Sequence, residues 1–166
     1  IEVGIEHGLR IDGDAAPATL QGTPVGRLRV ILPYIPMVLG LAGNVGSQTS
    51  AVMVRGFAVG EVQPGNRAEI FAGEVQVGAA LGLLCCLLAV PMAWVFVADW
   101  WTAGSMGIAL LLAMTWSATL ACSIAIGSQA AGLDPALVSG PVMMACSDLS
   151  ATLLFFGSAQ VLLGMA

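Results

Sequence analysis

The stretch Pro135–Ala166, PALVSGPVMMACSDLSATLLFFGSAQVLLGMA, holds one charged side chain, Asp148, in a run otherwise as apolar as a membrane helix. A spanning helix takes about 20 mostly apolar residues. The segment is long enough to cross, so lipid rather than water decides the fold. A carboxylate in such a span costs at least ~2.5–3.5 kcal/mol and normally faces a partner or a water-filled path. Asp148 therefore marks both a membrane fold and a candidate position on a cation route.

The uncharged stretches Val30–Val54, Val75–Ala98 and Trp100–Leu133 repeat the pattern upstream. The chain is 58% hydrophobic and 9% charged, where a soluble domain carries about 25% charged residues. The expected fold is an all-α integral membrane protein, a helical bundle with about four spans: Leu28–Val59, Val75–Ala98, Ser105–Ala131 and Pro141–Met165. Residues 1–27 read as a polar N-terminal segment or tether, and 28–166 as a transmembrane pore domain. Pro33, Pro36, Gly40, Gly43 and Gly46 argue for a bent or locally opened first span, tolerated where neighbouring protein or a water-lined cavity satisfies the freed backbone groups. Trp94, Trp100 and Trp101 bracket Asp99 as an aromatic belt does at a membrane interface. Asp134, just before Pro135, reads as a turn and cap residue, and Pro141 as a first helical residue.

The net charge of −5 comes from ten acids and five arginines, without a lysine. A nucleic-acid partner needs a basic face, which this composition excludes. Arg55 and Arg67 flank the first connection, and the positive-inside rule places it in the cytoplasm. The Asp134 turn then shares that side and the C-terminus lies outside. Four spans in this order put residues 1–27 outside although Arg10 and Arg27 lie there and Arg29 follows, so either the rule is overridden or an inward-to-outward helix precedes residue 1. Cys85, Cys86, Cys122 and Cys146 all fall in spans at spacings that match no metal pattern. With no histidine in the spans and no serine beside a base, the chain reads as no enzyme.

Three features converge on ion passage. Gly40-Leu41-Ala42-Gly43-Asn44-Val45-Gly46-Ser47-Gln48 sets glycines beside the polar side chains of Asn44, Ser47 and Gln48 in mid-span. Glycines bare backbone carbonyls, the oxygens that channels aim at cations. Asp148 adds a fixed negative charge with the hydroxyls of Ser147 and Ser150 beside it. Counted from Pro141 it lies roughly 10 Å into its helix. One carboxylate is little for a divalent ion, but two copies across a two-fold axis supply two. Magnesium keeps several waters and is usually held by one or two carboxylates, so such a pair suits hydrated Mg²⁺.

The run Pro36-x3-Gly40-x2-Gly43-Asn44-x-Gly46-x-Gln48, followed by Arg55, resembles the second transmembrane helix of the MgtE family of magnesium channels. Asp134-Pro135-Ala136-Leu137-Val138-Ser139, then Pro141 and Ser147-Asp148, is similar to that family's approach to its fifth helix. The resemblance implies a homodimer in the bilayer with five helices per subunit and a pore on the two-fold axis. It also implies that Asp148 binds hydrated Mg²⁺ with backbone carbonyls at Gly40, Gly43 and Met144, while Asn44, Ser47, Gln48 and Ser147 line the pore. Family members commonly carry a cytosolic amino-terminal domain and CBS domains that sense Mg²⁺. Those regulatory domains and the family's first helix have no counterpart in this chain, and some members have asparagines where it has Ser47 and Gly140. The expectation is thus multi-pass insertion in the inner (plasma) membrane and channel-like Mg²⁺ transport. The rival readings are a proton- or sodium-coupled exporter and a non-transporting membrane assembly module.

Overall fold

The computed structural model describes residues 31–163; the expected tether at 1–27 lies outside them. A 3-10 turn at Leu32–Tyr34 leads into four helices: α1 Ile35–Ala58, α2 Arg67–Val97, α3 Trp100–Ala130 and α4 Pro135–Leu163. The described residues contain no strand.

Each connection is made by residues suited to stop one helix and start the next. After α1, Gly60 takes a left-handed φ of 76° and its N–H reaches the Phe57 carbonyl at 3.2 Å. Asn66 stitches the loop, accepting from the Gln63 N–H and donating to the Glu61 carbonyl, both at 2.8 Å. Between α2 and α3 only residues 98–99 intervene. Asp99 caps α3 by accepting from the Thr102 N–H at 3.0 Å, which satisfies one of the orphan donors of a helix start. Trp94 and Trp100 stack across this corner with centroids 4.8 Å apart. After α3, Gly132 is left-handed at φ 72°, the Leu133 N–H returns to the Ser128 carbonyl, and Gly132 to Gln129. That pair is the Schellman closure of a helix end. Asp134 then caps α4 by accepting from the Ala136 N–H at 2.8 Å, the turn-and-cap role read from its place before Pro135.

α3 is the hub, with α1, α2 and α4 all packed against it, and α1 also lies along α4. Small residues make this possible. A Cβ built on Gly78 of α2 would lie 2.6 Å from the Ala118 Cβ, and one on Gly82 would lie 3.1 Å from the Leu111 carbonyl oxygen. The Gly78-x3-Gly82 spacing therefore serves packing onto α3, where close backbone approach replaces the hydrophobic drive that lipid does not supply. Val38, Met106, Leu110, Met114 and Phe155 fill the centre.

Three helical segments, Arg67–Val97, Trp100–Ala130 and Gly140–Val161, are long and apolar enough to cross a membrane. α1, the expected first span, is not among them: its 24 residues are long enough for a ~30 Å hydrocarbon core at about 1.5 Å per residue, but it falls short in apolar character. It is the least apolar because Asn44, Ser47, Gln48, Thr49 and Ser50 fall in its middle.

Several boundaries differ from expectation for physical reasons. α2 starts at Arg67, ahead of Val75, because the helix continues past the apolar stretch to include Glu69 and Glu74. α3 starts at Trp100 rather than Ser105, because Asp99 is its cap. α4 starts at Pro135 and carries Pro141 in its interior; a proline fits a first turn best, and here that proline is Pro135. The opened first span is also corrected. Among the described residues of this span only the Leu32–Tyr34 turn departs from α geometry, and Gly40–Gln48 is continuous α-helix. Glycine lowers helix propensity without removing a backbone donor, so it does not break the ladder as an interior proline does.

Candidate functional site

The candidate residues gather along the pair α1 and α4, which run antiparallel. A Cβ on Gly43 would meet the Met144 side chain at 3.7 Å. Further along, Ser47 and Ala51 face Gly140 and Ala136 across an open groove of about 420 Å³. Stepping one turn the other way from the Gly43–Met144 contact, three residues back on α1 and four forward on α4, brings Gly40 and Asp148 to one level.

The two helices present this region through their periodicity. Gly40, Asn44, Ser47 and Gln48 recur at helical spacing, and all four are exposed on the protomer, so they form one stripe. The opposite face of α1, with Val38, Ala42, Val45 and Met53, is buried. On α4 the buried stripe is Met143, Ser147, Ala151, Phe155 and Ala159. Met144 and Asp148 stand on the flank nearest α1. Val142, Leu149 and Leu153 stand on the other flank, exposed and apolar.

The Asp148 carboxylate is exposed. Among the described residues no arginine pairs with it, and its backbone carbonyl accepts from Thr152 Oγ1 at 2.8 Å. It lies eight residues inside the apolar segment that starts at Gly140, about 12 Å at 1.5 Å per residue. Because α4 begins before Pro141, Asp148 is nearer the middle of the helix than a count from Pro141 gives. Among the described residues no three His, Cys, Asp or Glu side chains cluster as a metal site. One protomer therefore offers a divalent ion one carboxylate, together with amide and hydroxyl oxygens.

Gly40, Asn44, Ser47, Gln48, Met144 and Asp148 thus share the α1–α4 side. Gly43 lies on the same side but is covered by Met144. Ser47 Oγ donates to the Asn44 carbonyl at 3.1 Å. Ser147 is elsewhere. It is 1% exposed, turned toward α3, and its Oγ shares a hydrogen bond with Ser117 Oγ at 2.8 Å. A step of one residue on a helix is 100°, so the neighbour of an exposed carboxylate readily faces the core.

Sequence reading missed the tie at the other end of α1. Arg67 Nη2 donates to Gln129 Oε1 at 2.7 Å, and its guanidinium carbon sits 5.8 Å from the centre of the Phe57 ring. This joins the end of α1, the start of α2 and the end of α3. The only hint in the sequence is that Arg67 flanks the first connection, where it is read as an orientation marker.

Comparison with known proteins bears on this geometry. The family described as "MgtE: Divalent cation transporter" matches residues 35–158, which takes in α1 to α3 and most of α4. The magnesium transporter MgtE of Thermus thermophilus is 27% identical over 93% of this chain and 35% of its own length. The magnesium transporters MgtE of Enterococcus faecalis and Bacillus subtilis are each 28% identical, over 82% and 76% of this chain and 30% and 28% of their own lengths. The chain thus spans about a third of the curated relatives it matches. With the family match covering most of the chain, and with the membrane helices and the α1–α4 stripe it contains, this protein belongs to the MgtE family of divalent cation transporters.

Proposed function

We propose that this chain forms the ion-conducting part of a Mg²⁺ transporter in the plasma membrane, with two copies meeting along the α1–α4 side. The observation that carries the reading is Asp148, exposed in mid-helix, unpaired by any described arginine and level with Gly40. A second copy about a two-fold axis sets two carboxylates opposite one another, matching the charge of the cargo. Magnesium retains most of its water, so Asn44, Ser47 and Gln48 contact a hydration shell rather than the bare ion. The glycine carbonyls remain in the helical ladder, where each keeps a second lone pair for a water molecule. The cation moves down its gradient, drawn inward at about 2.3 kcal/mol per charge per 100 mV. That the relatives are named magnesium transporters supports Mg²⁺ as the cargo, and the chemistry is transport rather than catalysis.

The test is Asp148→Ala in a host that requires external magnesium. Growth rescue is lost while the protein still reaches the membrane. Full rescue by that variant, at equal membrane abundance, overturns the reading.

A further inference from the structure

Beside the polar stripe the structure holds a buried contact among three helices that the transport reading does not use. Ser117 and Ser147 are each 1% exposed and share a hydrogen bond at 2.8 Å between α3 and α4. α1 closes on this pair through Gly46. A Cβ there would lie 2.3 Å from Ser117 Oγ and 2.6 Å from Met143 Sδ. The two helices of the proposed ion route, α1 and α4, are thus both referenced to the hub α3 through one hydroxyl pair, and Ser147 is the residue immediately before Asp148.

We infer that Ser117 and Ser147 are positioning residues for Asp148: their hydrogen bond fixes the rotation of α4 about its axis, and so where the carboxylate sits relative to Gly40 and Asn44. The inference rests on the transport reading above. The physical case is one of rotation. The rest of the buried stripe on α4 alternates the large Met143 and Phe155 with the small Ala151 and Ala159, and apolar burial of this kind fills space without being directional. A hydrogen bond is directional, and between membrane helices it joins van der Waals packing as a principal source of specificity. A helix with its side chains has a radius of roughly 5–6 Å, so a turn of about 10° moves a side-chain tip by about 1 Å. A binding constellation is held to about 0.5 Å. Loss of the hydroxyl bond is therefore small for the fold and large for the geometry of Asp148.

The experiment compares Ser147→Ala, Ser117→Ala and the double variant with the unaltered chain in Mg²⁺-loaded proteoliposome flux assays. Ser128→Ala serves as control, since Ser128 is also buried but donates to the Ile124 carbonyl of its own helix. Each single variant is expected to raise the half-saturating Mg²⁺ concentration roughly three- to tenfold, the range of a lost interhelical hydrogen bond, and to change the Mg²⁺:Co²⁺ preference. The double variant is no worse than the singles, because one bond is lost in each case, and Ser128→Ala is unshifted. A purely structural role lowers maximal flux through the amount of active protein and leaves half-saturation and ion preference alone; that result overturns the inference. If Ser147→Ala fails to reach the membrane, Ser117→Ala removes the same bond from the other helix and decides the question. If the unaltered chain carries no Mg²⁺, or Asp148→Ala carries it normally, the transport reading falls and this inference with it.

Discussion

Two glycines of α1 make opposite demands, and the contrast separates packing from transport. Gly46 is closed in by Ser117 and Met143, while a Cβ on Gly40 meets nothing within 4 Å. Gly46→Ala must displace the Ser117 hydroxyl and the end of Met143, an overpacking expected to cost about 1–3 kcal/mol. Gly40→Ala meets no obstacle in the protomer, and in a helix interior it stabilises by roughly 0.5–1 kcal/mol through the unfolded chain. Thermal unfolding in detergent should therefore show Gly46→Ala melting below the unaltered chain and Gly40→Ala at or above it. If Gly40 borders the ion route, Gly40→Ala nonetheless reduces Mg²⁺ flux. Flux and stability then move in opposite directions, which no packing defect produces. Unchanged flux in Gly40→Ala removes that residue from the route.

At the scale of the element, the helices themselves were legible and their ends and facings were not. A gap in charge reveals a span, because lipid tolerates nothing else there, and α2, α3 and α4 follow those gaps. The ends are set by local chemistry that hydropathy does not weigh. Arg67, Glu69 and Glu74 continue α2 beyond its apolar stretch, and Pro135 rather than Pro141 takes the start of α4. Asp148 was readable as a site because one charge in a long apolar run stands out. The burial of Ser147 was not, since it depends on a hydroxyl thirty residues away in the chain. The Arg67–Gln129 tie, separated by 62 residues, was equally hidden. It binds the ends of three helices, so its loss acts on elements rather than on the ion. A hydrogen bond to a charged group is worth about 1.5–3 kcal/mol, and Arg67→Ala is expected to destabilise the bundle by about that amount. Gln129→Ala, measured in the same unfolding assay, should show most of the same loss, and the pair together less than the sum. Additive losses mean that the two side chains act apart.

Across the whole molecule, the outer surface divides by the solvent it suits. α2 turns Leu87, Leu88, Val95 and Phe96 outward at 63–76% exposure, as a lipid-facing helix does. The α1–α4 side turns out Gly40, Asn44, Gln48 and Asp148 instead. A protomer alone in lipid leaves the carboxylate in hydrocarbon at a cost of at least ~2.5–3.5 kcal/mol. The two-fold dimer proposed above would cover the same patch on both copies, and a hydrated cation between the carboxylates would offset that cost. Need for both carboxylates can be measured by expressing the unaltered chain and Asp148→Ala together in equal amounts. Random pairing leaves about a quarter of dimers with two aspartates. If both are needed, Mg²⁺ uptake per unit of total protein in the membrane falls to about that fraction. If each protomer carries its own ion path, uptake stays near one half, and a site shared between two copies is ruled out. Varying the expression ratio sharpens the distinction, because uptake then follows the square of the unaltered fraction in the first case and the fraction itself in the second.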